Sequence, residues 1–97
     1  MNVGICKVKM RLPGNASLKG KRQILKSIVG RVRNRFNVSI AEVSDNDLWQ
    51  IAALGVVCVS NGSAHVNEML SKVVDFIVST RPDAEILDYE IEIVSAL

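Results

Sequence analysis

Five cations, Lys19, Lys21, Arg22, Lys26 and Arg33, stand in one stretch, Ser17 to Phe36, that contains no acid. Their shared chemistry is anion binding, since ammonium and guanidinium groups give charge-assisted hydrogen bonds to phosphate oxygens. At 100° per residue, Lys19, Arg22, Lys26 and Arg33 fall in a narrow arc. That arc lies beside an apolar stripe of Leu18, Leu25, Val29 and Val32, which Ile24 and Ile28 widen. Ser17 is the expected N-cap, its hydroxyl accepting from an amide of the first turn. Lys19, Lys21 and Arg22 then occupy the opening turns, where the helix macrodipole is positive and each exposed cation costs roughly 0.3–1 kcal/mol. The sequence supplies no folding reason for that placement, whereas an anion brought to the helix start does. The competing reading is an ordinary solvated face, although such faces mix signs and Lys19 to Arg35 holds seven cations and no acid. The stripe has no aromatic neighbours in sequence, so base-specific reading of a single strand is not expected.

A second group, Asp45, Asp47 and His65, has the chemistry of a divalent metal site but lacks a third or fourth ligand. The plainer reading is a turn at Asp45–Asp47 and a helix start at His65, so no metal and no cofactor is expected. No nucleophile or orienting acid is spaced to make His65 a general base. Cys6 and Cys58 lie in apolar runs without CxxC or Cys–His spacing and read as buried thiols.

These residues need a scaffold. The chain has 97 residues, 48% of them hydrophobic, which suits one small domain over residues 1–97 with a packed core. There is no apolar run of membrane-spanning length and no signal-peptide pattern, so a cytoplasmic address is expected and no membrane partner.

Val3 to Leu12 alternates strictly, with Gly4, Cys6, Val8, Met10 and Leu12 on one side and Lys7, Lys9 and Arg11 on the other, as in a half-buried strand. Pro13-Gly14-Asn15 breaks it, and the basic helix follows. Phe36 to Val43 reads as a second strand and Ser44–Asp47 as a turn. Leu48 to Val59 reads as a third strand, apolar on both parities. A second helix, Ser63 to Ser79, buries Val66, Met69, Leu70, Val73, Phe76 and Ile77 and stops at Arg81-Pro82. Glu85 to Val94 alternates again, with Leu87, Tyr89, Ile91 and Ile93 opposite Asp88, Glu90 and Glu92.

The order βαββαβ predicts a ferredoxin-like α+β sandwich, two helices on one face of a four-stranded antiparallel sheet. Charge supports it. Residues 1–41 hold ten Lys and Arg and no acid, while residues 42–97 hold two basic residues and all ten acids. In this topology the first and last strands are neighbours. Lys7, Lys9 and Arg11 then face Asp88, Glu90 and Glu92, each pair contributing a few tenths to about 1 kcal/mol. Acylphosphatases share the topology and bind phosphate in the first loop, but they place an arginine inside that loop. Here the cations begin after Ser17, so no enzyme of that kind is expected.

The chain resembles the YlxP-like family, small bacterial proteins classed as a domain of unknown function. The resemblance runs the whole length and rests on SLKGKR at 17–22, RNRFNVSIAEV at 33–43, DNDLWQ at 45–50, and VSN with AHV between 59 and 66. It implies a ferredoxin-like fold and no established activity. It also implies an RNA or ribosomal setting, because genes of the family often lie near translation factors. The family pattern carries an acid at the position of Gly20, and its loss here makes the helix start more basic still.

The third strand leaves an apolar row on the open sheet face whichever parity meets the helices, and such a row marks a partner surface. Trp49, Ile51, Leu54 and Val56 are the candidate interface residues, with a homodimer as the simplest cover. The expected function is a non-enzymatic binding protein whose first helix holds RNA phosphates or a ribosomal surface. RNA rather than DNA is the expected partner. The alternative is a homodimeric protein-interaction or small-ligand module.

Overall fold

A computed structural model describes all residues 1–97. The elements follow as β1 (Asn2–Arg11), α1 (Leu18–Arg35), β2 (Ser39–Ser44), β3 (Ile51–Ser60), α2 (Ser63–Thr80) and β4 (Glu85–Ser95). The strands form one antiparallel sheet in the order β2-β3-β1-β4. This is the ferredoxin-like βαββαβ sandwich that the periodicities predict.

The alternation of β1 decides which face is covered. Cys6, Val8, Met10 and Leu12 are buried, and their register partners on β3 (Val56, Leu54 and Ala52 opposite Cys6, Val8 and Met10) are buried with them. The helices close this face with Leu25, Ile28 and Val32 from α1 and Val66, Leu70, Val73 and Ile77 from α2. Each such side chain contributes about 1.5–3 kcal/mol on full burial.

α1 starts as its sequence dictates, with the Ser17 hydroxyl accepting from the Gly20 amide at 3.0 Å. Its end differs from expectation. Phe36 caps the helix through its N–H to the Val32 carbonyl, so β2 begins at Ser39 rather than at Phe36. The ring is better satisfied there, edge-on to Phe76 of α2 with centroids 5.6 Å apart.

β4 contains one irregularity. Lys9 faces Asp88 while the next residue, Met10, faces Ile86, so Leu87 is an extra residue in the ladder. Below it the parity reverses, and Ile86, not Leu87, packs on the core. The same slip brings Glu85 opposite Arg11, and their side chains pair at 2.8 Å.

Candidate nucleic-acid interface

The buried arc of α1 is Lys21, Leu25, Ile28 and Val32. Lys21 is only 1% exposed, so it cannot meet a phosphate as its sequence position suggests. Its ammonium instead runs beneath the β2–β3 connection, donating to the carbonyls of Asp45 (2.6 Å) and Leu48 (2.8 Å). The Glu42 Oε2 lies 2.9 Å from the same nitrogen. That contact has the distance of an ion pair but not the alignment of a hydrogen bond, so Oε2, shut off from solvent, is balanced by charge alone. The ammonium thus donates to two carbonyls and stands against one carboxylate. One cation at the helix start therefore has a folding reason, which is to fasten the hairpin to α1.

The remaining expected residues, Lys19, Arg22, Lys26 and Arg33, are all exposed. None belongs to any of the five ion pairs in the molecule. Their flank of α1 overhangs β2, which is an edge strand. Arg22, Lys26 and Arg33 share a groove of about 300 Å³ with Val29 of α1 and Ile40 and Ala41 of β2. Arg33 is anchored by a hydrogen bond to the Ile40 carbonyl at 3.1 Å. The opposite flank is committed to α2. There the Arg35 guanidinium stands 5.3 Å from the centre of the Phe76 ring, and Arg31 reaches the Thr80 carbonyl. The arrangement leaves Arg22, Lys26 and Arg33 without ion-pair partners along a groove that Glu42 also lines.

The candidate interface residues divide. Leu54 and Val56 are fully buried on the helix side, which corrects their assignment to the open face. Both parities of β3 are apolar, so periodicity could not choose between them; the register against Cys6 and Val8 does. Ile51 is on the open side, opposite Arg11, and is half-buried. Trp49 lies in the β2–β3 connection, 54% exposed. Its carbonyl is held by the Asn15 side-chain amide, which also donates to the Ser17 carbonyl.

The structure does not bring Asp45 and Asp47 to His65. The aspartates precede β3 and the histidine follows it, and β3 spans ten residues, roughly 33 Å at strand rise. The Asp45 carboxylate instead faces Lys9 at 3.8 Å. Cys6 and Cys58 are buried free thiols on the helix face. Burial pushes the Cys6 thiol up to about 11 and raises Cys58 as well, against a hydrogen bond with the Gly4 backbone. No helix is long and apolar enough to cross a membrane.

Fold and site together define a small ferredoxin-like domain with a basic helical flank. The chain belongs to the family described as "Protein of unknown function (DUF503)", whose pattern matches residues 3–91. It is 38% identical over 77 residues to the "Uncharacterized protein YlxP" of Bacillus subtilis (strain 168), covering 79% of this chain and 84% of that one. Among solved structures it is similar to a putative antibiotic biosynthesis monooxygenase from Chloroflexus aurantiacus J-10-fl, with TM-score 0.59, 17% identity, and 99% and 95% of the two chains covered. It is also similar to the de novo designed protein LFR1 1 with ferredoxin fold, with TM-score 0.58, 13% identity, and 100% and 88% covered. At these identities the likeness is one of fold alone.

Proposed function

We propose that this chain is a non-enzymatic, cytoplasmic binding protein that holds RNA phosphates, free or on a ribosomal surface, through the exposed flank of α1. Lys19, Arg22, Lys26 and Arg33 carry the contact, and Lys21 is excluded from it. The supporting observation is that four exposed cations line one flank of a helix with no acid on it and no ion-pair partner. Binding of this kind is largely counterion release, so it is strongly salt-dependent and weakly sequence-dependent.

The test is titration of a fluorescently labelled RNA at low and high salt. Wild type is compared with the fourfold variant Lys19→Gln, Arg22→Gln, Lys26→Gln, Arg33→Gln. The wild type binds at low salt and releases at high salt, and the variant loses at least about tenfold in affinity with an unchanged circular dichroism spectrum. A folded variant that binds as tightly as wild type, or a wild type that binds no RNA at low salt, sinks the reading.

A further inference from the structure

The sheet face away from the helices is uncovered, and it is divided in character. On β3 its outward row from Gly55 onward is Gly55, Val57 and Val59, with Val59 63% exposed. Ile5 of β1 faces Val57, and Val3 lies between Val59 and Val94 of β4. On the other side Val43 of the edge strand leans over Gly55. A Cβ on Gly55 would come within 2.7 Å of the Val43 side chain. A trough of about 610 Å³ runs from this face toward the β2 edge, lined by Gly55, Ile5, Ala41, Val43 and Val57 and reached from α1 by Arg33.

The rest of the face is charged, and the charges are ordered. Lys7, Lys9 and Arg11 form one column on β1, and Glu92, Glu90, Asp88 and Glu85 form the adjacent column on β4. Arg11 and Lys9 are paired within the chain, but Lys7, Asp88, Glu90 and Glu92 are in no ion pair.

We infer that this open face docks a second copy of the same chain, sheet against sheet, with the helices outward. Three arguments select that occupant. A two-fold interface requires a surface complementary to itself, and adjacent columns of opposite charge beside an apolar patch meet that requirement. Lys7 of one copy then answers Glu90 or Glu92 of the other, using the groups left unpaired in the single chain. The area also suffices. Three strands of ten or eleven residues and the six-residue β2 present roughly 570 Å² per copy, or about 1,100 Å² in all, just above the roughly 1,000 Å² that a specific interface needs. Finally, the exposed valines and Ile5 form a contiguous patch of the kind that monomeric surfaces keep small. The dimer goes beyond the RNA reading and does not depend on it: α1 packs on the other side of the sheet, and of its proposed contact residues Arg33 alone reaches the trough.

Sedimentation velocity tests the inference without RNA. Wild type, Val57→Glu, Ile5→Glu and the control Val78→Glu, altered at an exposed α2 position, are compared. The expected result is a mass of two chains for wild type and control, and of one chain for the two open-face variants, all with native circular dichroism. A wild type of one chain mass at the highest concentration reached overturns the inference, and so do folded open-face variants that stay dimeric. If neither open-face variant folds, Lys7→Glu decides, because it alters only an exposed charge. A dimer dissociation constant raised tenfold or more supports the face, and an unchanged one overturns it.

Discussion

Gly4 of β1 lies directly beneath Val66 of α2, so close that a Cβ on residue 4 would collide with the Val66 side chain and approach Leu70 at 2.8 Å. The second helix therefore rests on bare backbone at the start of the sheet. Gly4→Ala forces α2 away or Val66 off its rotamer, at a cost of about 1–3 kcal/mol. Thermal unfolding should show a midpoint lowered by roughly 5–20 °C. An unchanged midpoint would mean that the helix can slide without loss.

Lys21→Met strands three acceptors at once, the carbonyls of Asp45 and Leu48 and the carboxylate of Glu42. Breaking one side of a buried ion pair costs about 3–5 kcal/mol. Urea denaturation should show that loss, and Lys21→Met combined with Glu42→Leu should recover part of it because no charge is then left stranded. Equal stability of the single and double variants would show that Glu42 is indifferent to its partner.

Single substitutions should also separate α1 from the rest of the basic surface. Each phosphate contact on single-stranded RNA contributes about 0.7 to the slope of log affinity against log salt. Lys26→Gln should flatten the slope by about that amount. Lys72→Gln on α2 should leave it unchanged, since Lys72 is engaged with Glu68 at 2.8 Å. Equal effects of the two would mean that the ligand senses net charge and not the helix flank.

The Cys6 thiol gives a pH signature. Its folded value of about 11 stands above the ordinary 9.0, so between those values the unfolded chain loses the proton while the folded chain keeps it. Stability therefore falls as pH rises through that window, by up to about 3 kcal/mol, and Cys58 acts in the same direction. Cys6→Ala should flatten the fall between pH 9 and 11 when unfolding free energies are measured across it. A slope identical to wild type would assign the alkaline loss to other groups.

The elements were legible because each repeats an apolar residue at its own period. The topology sets Lys7 opposite Glu90 and Lys9 opposite Asp88, but the one β1–β4 ion pair is Arg11 with Glu85, and Lys9 turns to Asp45. Lys21 was missed although the sequence held a signal for it. It stands four, seven and eleven residues before Leu25, Ile28 and Val32, in the middle of the buried arc. A cation there needs a buried acceptor, and Glu42, sharing the inward parity of Ile40 on β2, is the acid available. The inward face of β3 was not legible, because Ile51, Leu54 and Val56 are all apolar and only pairing with β1 sorts them. The role of Gly20 was equally hidden. Asn15 Oδ1 occupies the space a Cβ at position 20 would take, and that contact joins the β1–α1 loop to the first turn of α1. The same Asn15 holds the Trp49 carbonyl through its side-chain amide.

The sequestered amine of Lys21 also acts as a gauge. Five of the six lysines are exposed and open to acylating reagents, whereas Lys21 is 1% exposed, with its amine held by two carbonyls and the Glu42 carboxylate. Acylation at Lys21 then records moments when the hairpin leaves α1, while protection of Lys19 and Lys26 records occupancy of the outer flank. One mass spectrum separates local opening from ligand shielding, with the chain serving as its own internal standard.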